Sequence, residues 1–243
     1  MGKTSTIKAL ALHVIERGRV TIIDYDGEYT SLPLLIQRPP FPINVDNETL
    51  SWILSQAARP KEGGYALEHH FQLLFERGQS FLEIMKYLEV DNLPLNIKQA
   101  LKWRLFMFQK YFVINNASPP TPDGAGVIYD LSSIRGGRAK EVIQQMILSY
   151  LLQFQYSRYV IVEEAPTGPF LRDILVMSRR KGQRLIMISQ KLPDPDYVNN
   201  FEFLIFTPFM MKSVLPIPVD PSSDRGVWWI GRLGVKRLSL SLR

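Results

Sequence analysis

Hydrophobic and polar positions along the chain follow two spacings, which predict helices that alternate with strands. Ile7, Leu10, Ala11 and Val14 recur at helical spacing, so we predict a helix that begins at residues 2–4. Buried strands are predicted at the apolar runs 20–24, 127–131, 159–162, 185–189 and 203–206, and further helices at 142–151 and 171–181. This alternation favours an α/β fold with a mainly parallel sheet covered on both faces.

Two segments depart from the alternation. Between residues 46 and 115 the pattern is helical, with a capping box at Ser80 and Glu83. We predict that this segment is a helical insertion within one domain spanning 1–243. Residues 226–231 and 235–242 alternate apolar and polar positions, which predicts C-terminal antiparallel edge strands.

Composition narrows the classes of function. The chain has no cysteine and 3 histidines, which excludes disulfides and thiolate metal sites and leaves little for a histidine-based metal site. We expect a cytoplasmic protein without membrane insertion, because no apolar run approaches the roughly 20 residues of a membrane-spanning helix. A net charge of +6 suits a polyanionic partner but does not identify one.

Candidate chemistry begins at Gly2, Lys3 and Thr4. In a phosphate-binding P-loop, G-x-x-x-x-G-K-[ST], the backbone amides and a helix N-terminus hold phosphates, the lysine reaches the β and γ phosphates, and the hydroxyl binds Mg²⁺. Only the last three residues of that motif are present here. Taken alone, they are more typical of a solvated helix start.

The wider sequence changes that reading, because the apolar run 159–162 is followed by Glu163 and Glu164. Sheets of this class bind ligands at the carboxyl ends of their strands. Adjacent carboxylates suit phosphate-ester hydrolysis, since one can enter the Mg²⁺ shell and the other can orient the attacking water. We assign Glu163 to the metal and Glu164 to the water. The alternative is that two glutamates simply end a strand at the surface.

Two further signals leave alternatives open. Gln190 follows the strand predicted at 185–189 and could contact the γ-phosphate or the water, or could be an ordinary loop residue. Arg179 and Arg180 lie in a basic segment, 178–182. They could supply an arginine finger to a neighbouring subunit, contact a nucleic-acid backbone, or be the solvated end of a helix.

Taken in order, five motifs resemble those of the HerA branch of the HerA/FtsK ATPases. The motifs are the segments 2–4, 23–29, 129–132, 162–165 and 179–190. The Asp-x-x-Gly-Glu-Tyr loop, at 24–29, and the Arg-Arg-Lys-Gly to Ser-Gln block are the most specific of them. The helical segment at 46–115 carries none of the resemblance.

The resemblance implies a RecA-like P-loop NTPase that binds ATP and Mg²⁺ and forms a hexameric ring around double-stranded DNA. It implies that the nucleotide is contacted by Gly2, Lys3, Thr4, Ser5, Asp24 and Glu28, and the metal by Thr4 and Glu163. Glu164 and Gln190 would then act in hydrolysis, with Arg179 or Arg180 reaching across the subunit interface. The implied function is an ATP-driven DNA translocase or helicase.

Several expectations about biological role accompany the resemblance. Relatives of this branch work with a NurA-type nuclease in DNA-end processing, or package or transfer DNA. The family has a strand and loop residues before Gly-Lys-Thr, so we expect that this sequence is truncated within the P-loop. Two alternatives stay open: an ATPase of a conjugation or secretion machine, and a non-catalytic DNA-binding assembly subunit.

Overall fold

The computed structural model describes residues 3–44, 46–56, 64–77, 81–90, 92–114, 126–154, 157–165, 169–189, 204–206, 227–231 and 234–238. The helices are α1 (Lys3–Ile15), α2 (Asn47–Gln56), α3 (Gly64–Arg77), α4 (Phe81–Val90), α5 (Leu95–Tyr111), α6 (Gly137–Phe154) and α7 (Pro169–Arg180). The strands are β1 (Val20–Asp24), β2 (Leu35–Gln37), β3 (Phe41–Ile43), β4 (Phe112–Ile114), β5 (Gly126–Asp130), β6 (Tyr159–Val162), β7 (Arg184–Met187), β8 (Leu204–Phe206), β9 (Val227–Gly231) and β10 (Gly234–Leu238). The chain divides into two compact units, Met1–Leu192 and Pro193–Arg243.

The first unit is built on a five-stranded sheet with the order β2-β5-β1-β6-β7. Each pair of neighbouring strands runs parallel. The central strands β1 and β6 are buried along their whole length, as the lack of apolar and polar alternation in their sequences predicts for a sheet covered on both faces. The predicted α/β class with a mainly parallel sheet is confirmed.

Successive residues of the central strands pack on opposite faces of this sheet, because strand side chains alternate with a period of two. Ile22 and Ile161 belong to the same buried cluster as Ala11 of α1. Ile23 and Val162 belong to a second cluster together with the inner faces of α6 and α7. Helix α1 therefore covers one face, and α6 and α7 cover the other.

Helices α2 to α5 lie in sequence between β3 and β4, within the segment where a helical insertion is predicted. β3 and β4 pair parallel with each other. The inner residues of the four helices, among them Leu50, Phe71, Leu88 and Phe108, join the cluster on the α6 face of the sheet. The predicted division into one domain with an insertion stays a prediction.

The second unit contains an antiparallel sheet with the order β10-β9-β8. The predicted C-terminal antiparallel strands are thus confirmed as β9 and β10. The apolar run at 203–206 forms a strand at Leu204–Phe206, but this strand pairs antiparallel with β9. An apolar run indicates burial without indicating its partner, and a hairpin close in sequence supplies that partner here.

Among the helices that the structure describes, none has the length and apolar character that crossing a bilayer requires.

Candidate functional site

Three buried acids meet at the carboxyl ends of adjacent strands. Asp24 ends β1 and lies in register beside Asp130, the last residue of β5. The backbone N–H of Glu163 donates to the carbonyl of Ile23 at 3.1 Å, which extends the pairing of β6 one residue past its end. Asp24, Asp130 and Glu163 expose 0%, 1% and 7% of their surfaces. Acids buried to this extent require hydrogen-bond partners, and each of the three has them.

The carboxylate of Asp24 organises the loop that follows β1. Its Oδ1 accepts hydrogen bonds from the backbone N–H groups of Gly27 at 2.8 Å and Glu28 at 3.0 Å, and its Oδ2 accepts one from Tyr29 at 2.8 Å. Gly27 has a φ of 80°, a left-handed conformation that favours glycine. The Asp-x-x-Gly-Glu-Tyr pattern is therefore explained by the turn it builds, with the Tyr29 ring fully buried beneath it.

Glu163 binds the same loop from the neighbouring strand. Its Oε2 accepts the backbone N–H groups of Tyr25 at 3.0 Å and Asp26 at 3.3 Å. Burial, followed by the nearby charge of Asp24, raises the pKa of Glu163 to about 7. Burial also raises the pKa of Asp24, against the effect of its three backbone N–H donors. Because Asp24 has those donors, we assign the proton of this pair to Glu163.

Asp130 is held differently. Its Oδ1 accepts the backbone N–H of Ser132 at 2.9 Å, and its Oδ2 accepts Nε of Arg38 at 2.9 Å. Burial alone would raise the pKa of Asp130, but the hydrogen bonds from Ser132 and the Arg38 guanidinium outweigh it, and the net shift is downward. The lowered pKa keeps Asp130 ionised beside Asp24 and Glu163, which share a proton.

Two residues of α6, which sequence reasoning did not select, complete the site. Nζ of Lys140 donates to the carbonyl of Tyr25 at 2.7 Å and to Oδ1 of Asp26 at 3.0 Å. One turn further along the helix, the side-chain amide of Gln144 donates to the backbone carbonyl of Glu163. The sequence pattern that could have predicted them is a lysine and a glutamine four residues apart on a core-facing helix, since this spacing places both side chains on one helix face.

Glu164 occupies a sharp turn after β6. Its φ of 45° is the one positive value among the non-glycine residues that the structure describes. Such a conformation costs about 1–3 kcal/mol and is found most often at functional sites. The turn is held by two backbone bonds, from Ala165 to the carbonyl of Ile188 and from Ile188 to the carbonyl of Val162, each 2.8 Å long.

The amino end of α1 points toward the same edge. A four-residue turn connects α1 to β1, so the helix runs back along the strand. The helix has 13 residues and the strand 5, which correspond to lengths of about 20 Å and about 17 Å. Lys3 and Thr4, which open α1, therefore lie near the level of the acids. By the alternation of their strands, Asp24 and Glu163 are on the α1 face of the sheet.

Arg179 and Arg180 lie at the opposite edge. They end α7, and β7 begins at Arg184, four residues later; both side chains are exposed. The strand β7 separates them from the carboxyl edge by about 13 Å. These arginines are distant from the acids of their own sheet, so a finger role would require the acids of another copy of the chain.

The remaining predicted residues are only partly described. The side chains of Ser5 and Glu28 are exposed, and the backbone N–H of Glu28 is one of the groups that Asp24 binds. Gly2, Gln190 and the side chains of Lys3 and Thr4 lie outside the described residues. Among the described side chains, no group of three or more acids and histidines is arranged to hold a metal ion, so the Thr4 and Glu163 metal site stays a prediction.

Two comparisons with known proteins were made, and neither identifies a family or a curated relative. A scan against protein-family models finds no family that matches the chain, and a search of curated proteins finds none that matches it significantly.

Proposed function

We propose that the first unit is the motor domain of an ATP-driven translocase of double-stranded DNA, with nucleotide hydrolysis at the carboxyl edge of its sheet. One observation carries the proposal: the Lys3-Thr4 start of α1 and the acids after β1 and β6 converge on one edge and one face of a parallel sheet. A helix N-terminus attracts phosphate through its unpaired N–H groups. Acids across from it suit hydrolysis of a bound triphosphate.

The residues of this edge have separate tasks in the proposal. Lys3 and the N-terminal amides of α1 bind the phosphates. Thr4 and Glu163 would supply the hydroxyl and carboxylate oxygens that Mg²⁺ prefers, Glu163 after it releases its proton, and the ion would offset phosphate charge. Glu164 orients the attacking water and accepts its proton. The strained backbone of Glu164 at the end of β6 supports this role, because such conformations cluster at functional sites.

A second group of residues fixes the geometry of the edge. Asp24 and Glu163 clamp the loop 24–29 between two strands, and Lys140 and Gln144 bind the same loop and turn from α6. Four side chains thus fix the loop 24–29 and the backbone carbonyl of Glu163, the residue before Glu164. Such prior ordering lowers the cost of orienting reactants.

The position of Arg179 and Arg180 supports hydrolysis between subunits. A charged finger is useful only near the phosphates, and in one copy of the chain these arginines lie at the wrong edge of the sheet. In a closed ring, Arg179 and Arg180 of one subunit can approach the carboxyl edge of the next. We therefore extend the proposal to a homo-oligomeric ring, as the resemblance implies.

The test is ATP hydrolysis by the protein expressed from its natural gene, measured with Mg²⁺ in the presence and absence of duplex DNA. We expect hydrolysis that DNA stimulates, and we expect Glu164→Gln to reduce kcat at least 100-fold, consistent with the loss of a general base. Glu76→Gln, at an exposed position of α3, is the matched control and should hydrolyse ATP at the parent rate.

Other outcomes would point to the alternatives. An ATP hydrolysis rate that is the same with and without duplex DNA would favour an ATPase of a conjugation or secretion machine. DNA binding without hydrolysis in the parent or either variant would favour a non-catalytic DNA-binding subunit.

A further inference from the structure

The amino-terminal edge of the parallel sheet carries a row of arginines. Three strands of the sheet carry an arginine at their start: Arg19 and Arg158 immediately precede β1 and β6, and Arg184 is the first residue of β7. Their backbones are bonded in sequence across the edge, from the Arg158 N–H to the Arg19 carbonyl at 3.1 Å and from the Arg184 N–H to the Arg158 carbonyl at 2.9 Å. Arg17 lies in the same turn as Arg19. We call these four residues the arginine row.

The side chains of the arginine row are accessible. Arg17, Arg158 and Arg184 are exposed and Arg19 is half-buried. Within the part of the chain that the structure describes, none of the four takes part in an ion pair. The described acid of this edge is Glu16, in the turn after α1. The row is thus a concentration of cations that form no ion pair with the described residues of the fold.

Two members of the row are held in place by packing. The guanidinium carbons of Arg158 and Arg184 lie 5.7 Å and 5.9 Å from the centre of the Tyr159 ring. Such contacts fix a guanidinium over a ring while leaving its N–H groups free to bind an anion. Because the Tyr159 ring is itself 6% exposed, it offers no surface on which a base could stack.

We propose that the arginine row binds the phosphate backbone of double-stranded DNA. The proposal rests on the function proposed above for its choice of duplex DNA, and it identifies a surface on the opposite edge of the sheet from the hydrolytic site. Proteins that hold single strands combine cations with exposed aromatic rings, whereas the described residues of this surface present four arginines and no exposed aromatic ring. It therefore suits a duplex, whose phosphates face outward and whose bases do not.

The spacing of the arginines along the sheet edge is compatible with the charge spacing of duplex DNA. Adjacent strands lie about 4.8 Å apart, so β1 and β7 begin about 10 Å apart across β6. Duplex DNA carries one charge for about every 1.7 Å of its axis, or about six charges over that distance. Four arginines can thus neutralise a large share of the phosphates that they face.

The experiment measures binding of a fluorescent duplex DNA of mixed sequence to the whole protein, by anisotropy, over a series of salt concentrations and without nucleotide. Each phosphate contact contributes about 0.9 to the slope of log affinity against log salt. We expect Arg158→Gln with Arg184→Gln to lower that slope by about 1.8 and to weaken binding roughly 60-fold near 0.1 M salt. Arg158→Lys with Arg184→Lys keeps both charges and should retain the parent slope.

A matched control removes two positive charges elsewhere, through Lys86→Gln with Lys110→Gln at exposed positions of α4 and α5, and should leave the slope near the parent value. An unchanged slope in the arginine-to-glutamine variant, or an equal loss in the control, would overturn the proposal. ATP hydrolysis is measured in parallel without DNA. If no variant hydrolyses ATP while the slopes behave as expected, the function proposed above fails and the DNA surface stands.

Discussion

The raised pKa of Glu163 makes stability depend on pH in a predictable direction. Burial and the charge of Asp24 raise this pKa from 4.5 to about 7. Between these two values the folded protein binds a proton that the unfolded chain has lost, so the free energy of unfolding falls as pH rises through the window. A difference of about 2.5 units corresponds to about 3 kcal/mol. The raised pKa of Asp24 acts in the same direction.

Substitution of Glu163 by glutamine isolates this effect. The glutamine carbonyl can accept the backbone N–H groups of Tyr25 and Asp26, and its amide can donate to Asp24 as the protonated acid does. We expect Glu163→Gln to match the parent near pH 4.5 and to exceed its stability by up to about 3 kcal/mol at about pH 8. Asp130 does not obscure the result, because its lowered pKa places its contribution below this window.

The measurement is urea unfolding, followed by far-ultraviolet circular dichroism across the pH window. Circular dichroism reports on the first unit, which contains the described helices. Glu76→Gln, at an exposed site, is the control and should keep the parent profile. Should Glu163→Gln run parallel to the parent at every pH, or be less stable at about pH 8, then Glu163 is ionised in the folded protein and our assignment of the proton is wrong.

Two further predictions concern the loop after β1. Gly27→Ala should destabilise the protein by about 1–3 kcal/mol, because it forces alanine into a left-handed conformation and brings its Cβ within 3.1 Å of the Ser132 Cβ. Gly182→Ala, at a φ of 67° with no atom within 4 Å of the added Cβ, should cost less in the same urea assay; the reverse order would refute the role of the contact. Lys140→Met should cost about 1–3 kcal/mol by removing two hydrogen bonds. It should also increase hydrogen exchange at the Asp26 amide, and unchanged exchange would count against the clamp.

Most of the fold could be predicted from the sequence because its central strands are rich in apolar residues and lack a two-residue alternation. The runs at β1 and β6 have no polar alternation, which separates a parallel sheet covered on both faces from a half-solvated one. The antiparallel pairing of Leu204–Phe206 with β9 could not be predicted from the sequence. An apolar run indicates that a strand is buried, but it does not indicate which strand lies beside it.

Only part of the candidate site could be predicted from the sequence. Glu163 was selected because it follows a predicted buried strand, and Asp24, at the end of another such strand, was selected through the family resemblance. Their actual bonds differ from the prediction, since both carboxylates bind backbone N–H groups of one loop. Lys140 and Gln144 were missed because their roles depend on which face of α6 meets the sheet. That orientation comes from packing, not from local sequence.

The uniform direction of the sheet has a consequence for the electric field around the protein. In the strands described here, acids end β1 and β5 and follow β6, while arginines precede β1 and β6 and begin β7. Since all five strands run the same way, the three buried acids and the arginine row lie at opposite ends of the strands. Because the arginine row is accessible whereas the acids are buried, a polyanion that approaches from a distance would be attracted toward the arginine edge before any contact forms. The orientation of the first encounter is thus determined by strand direction.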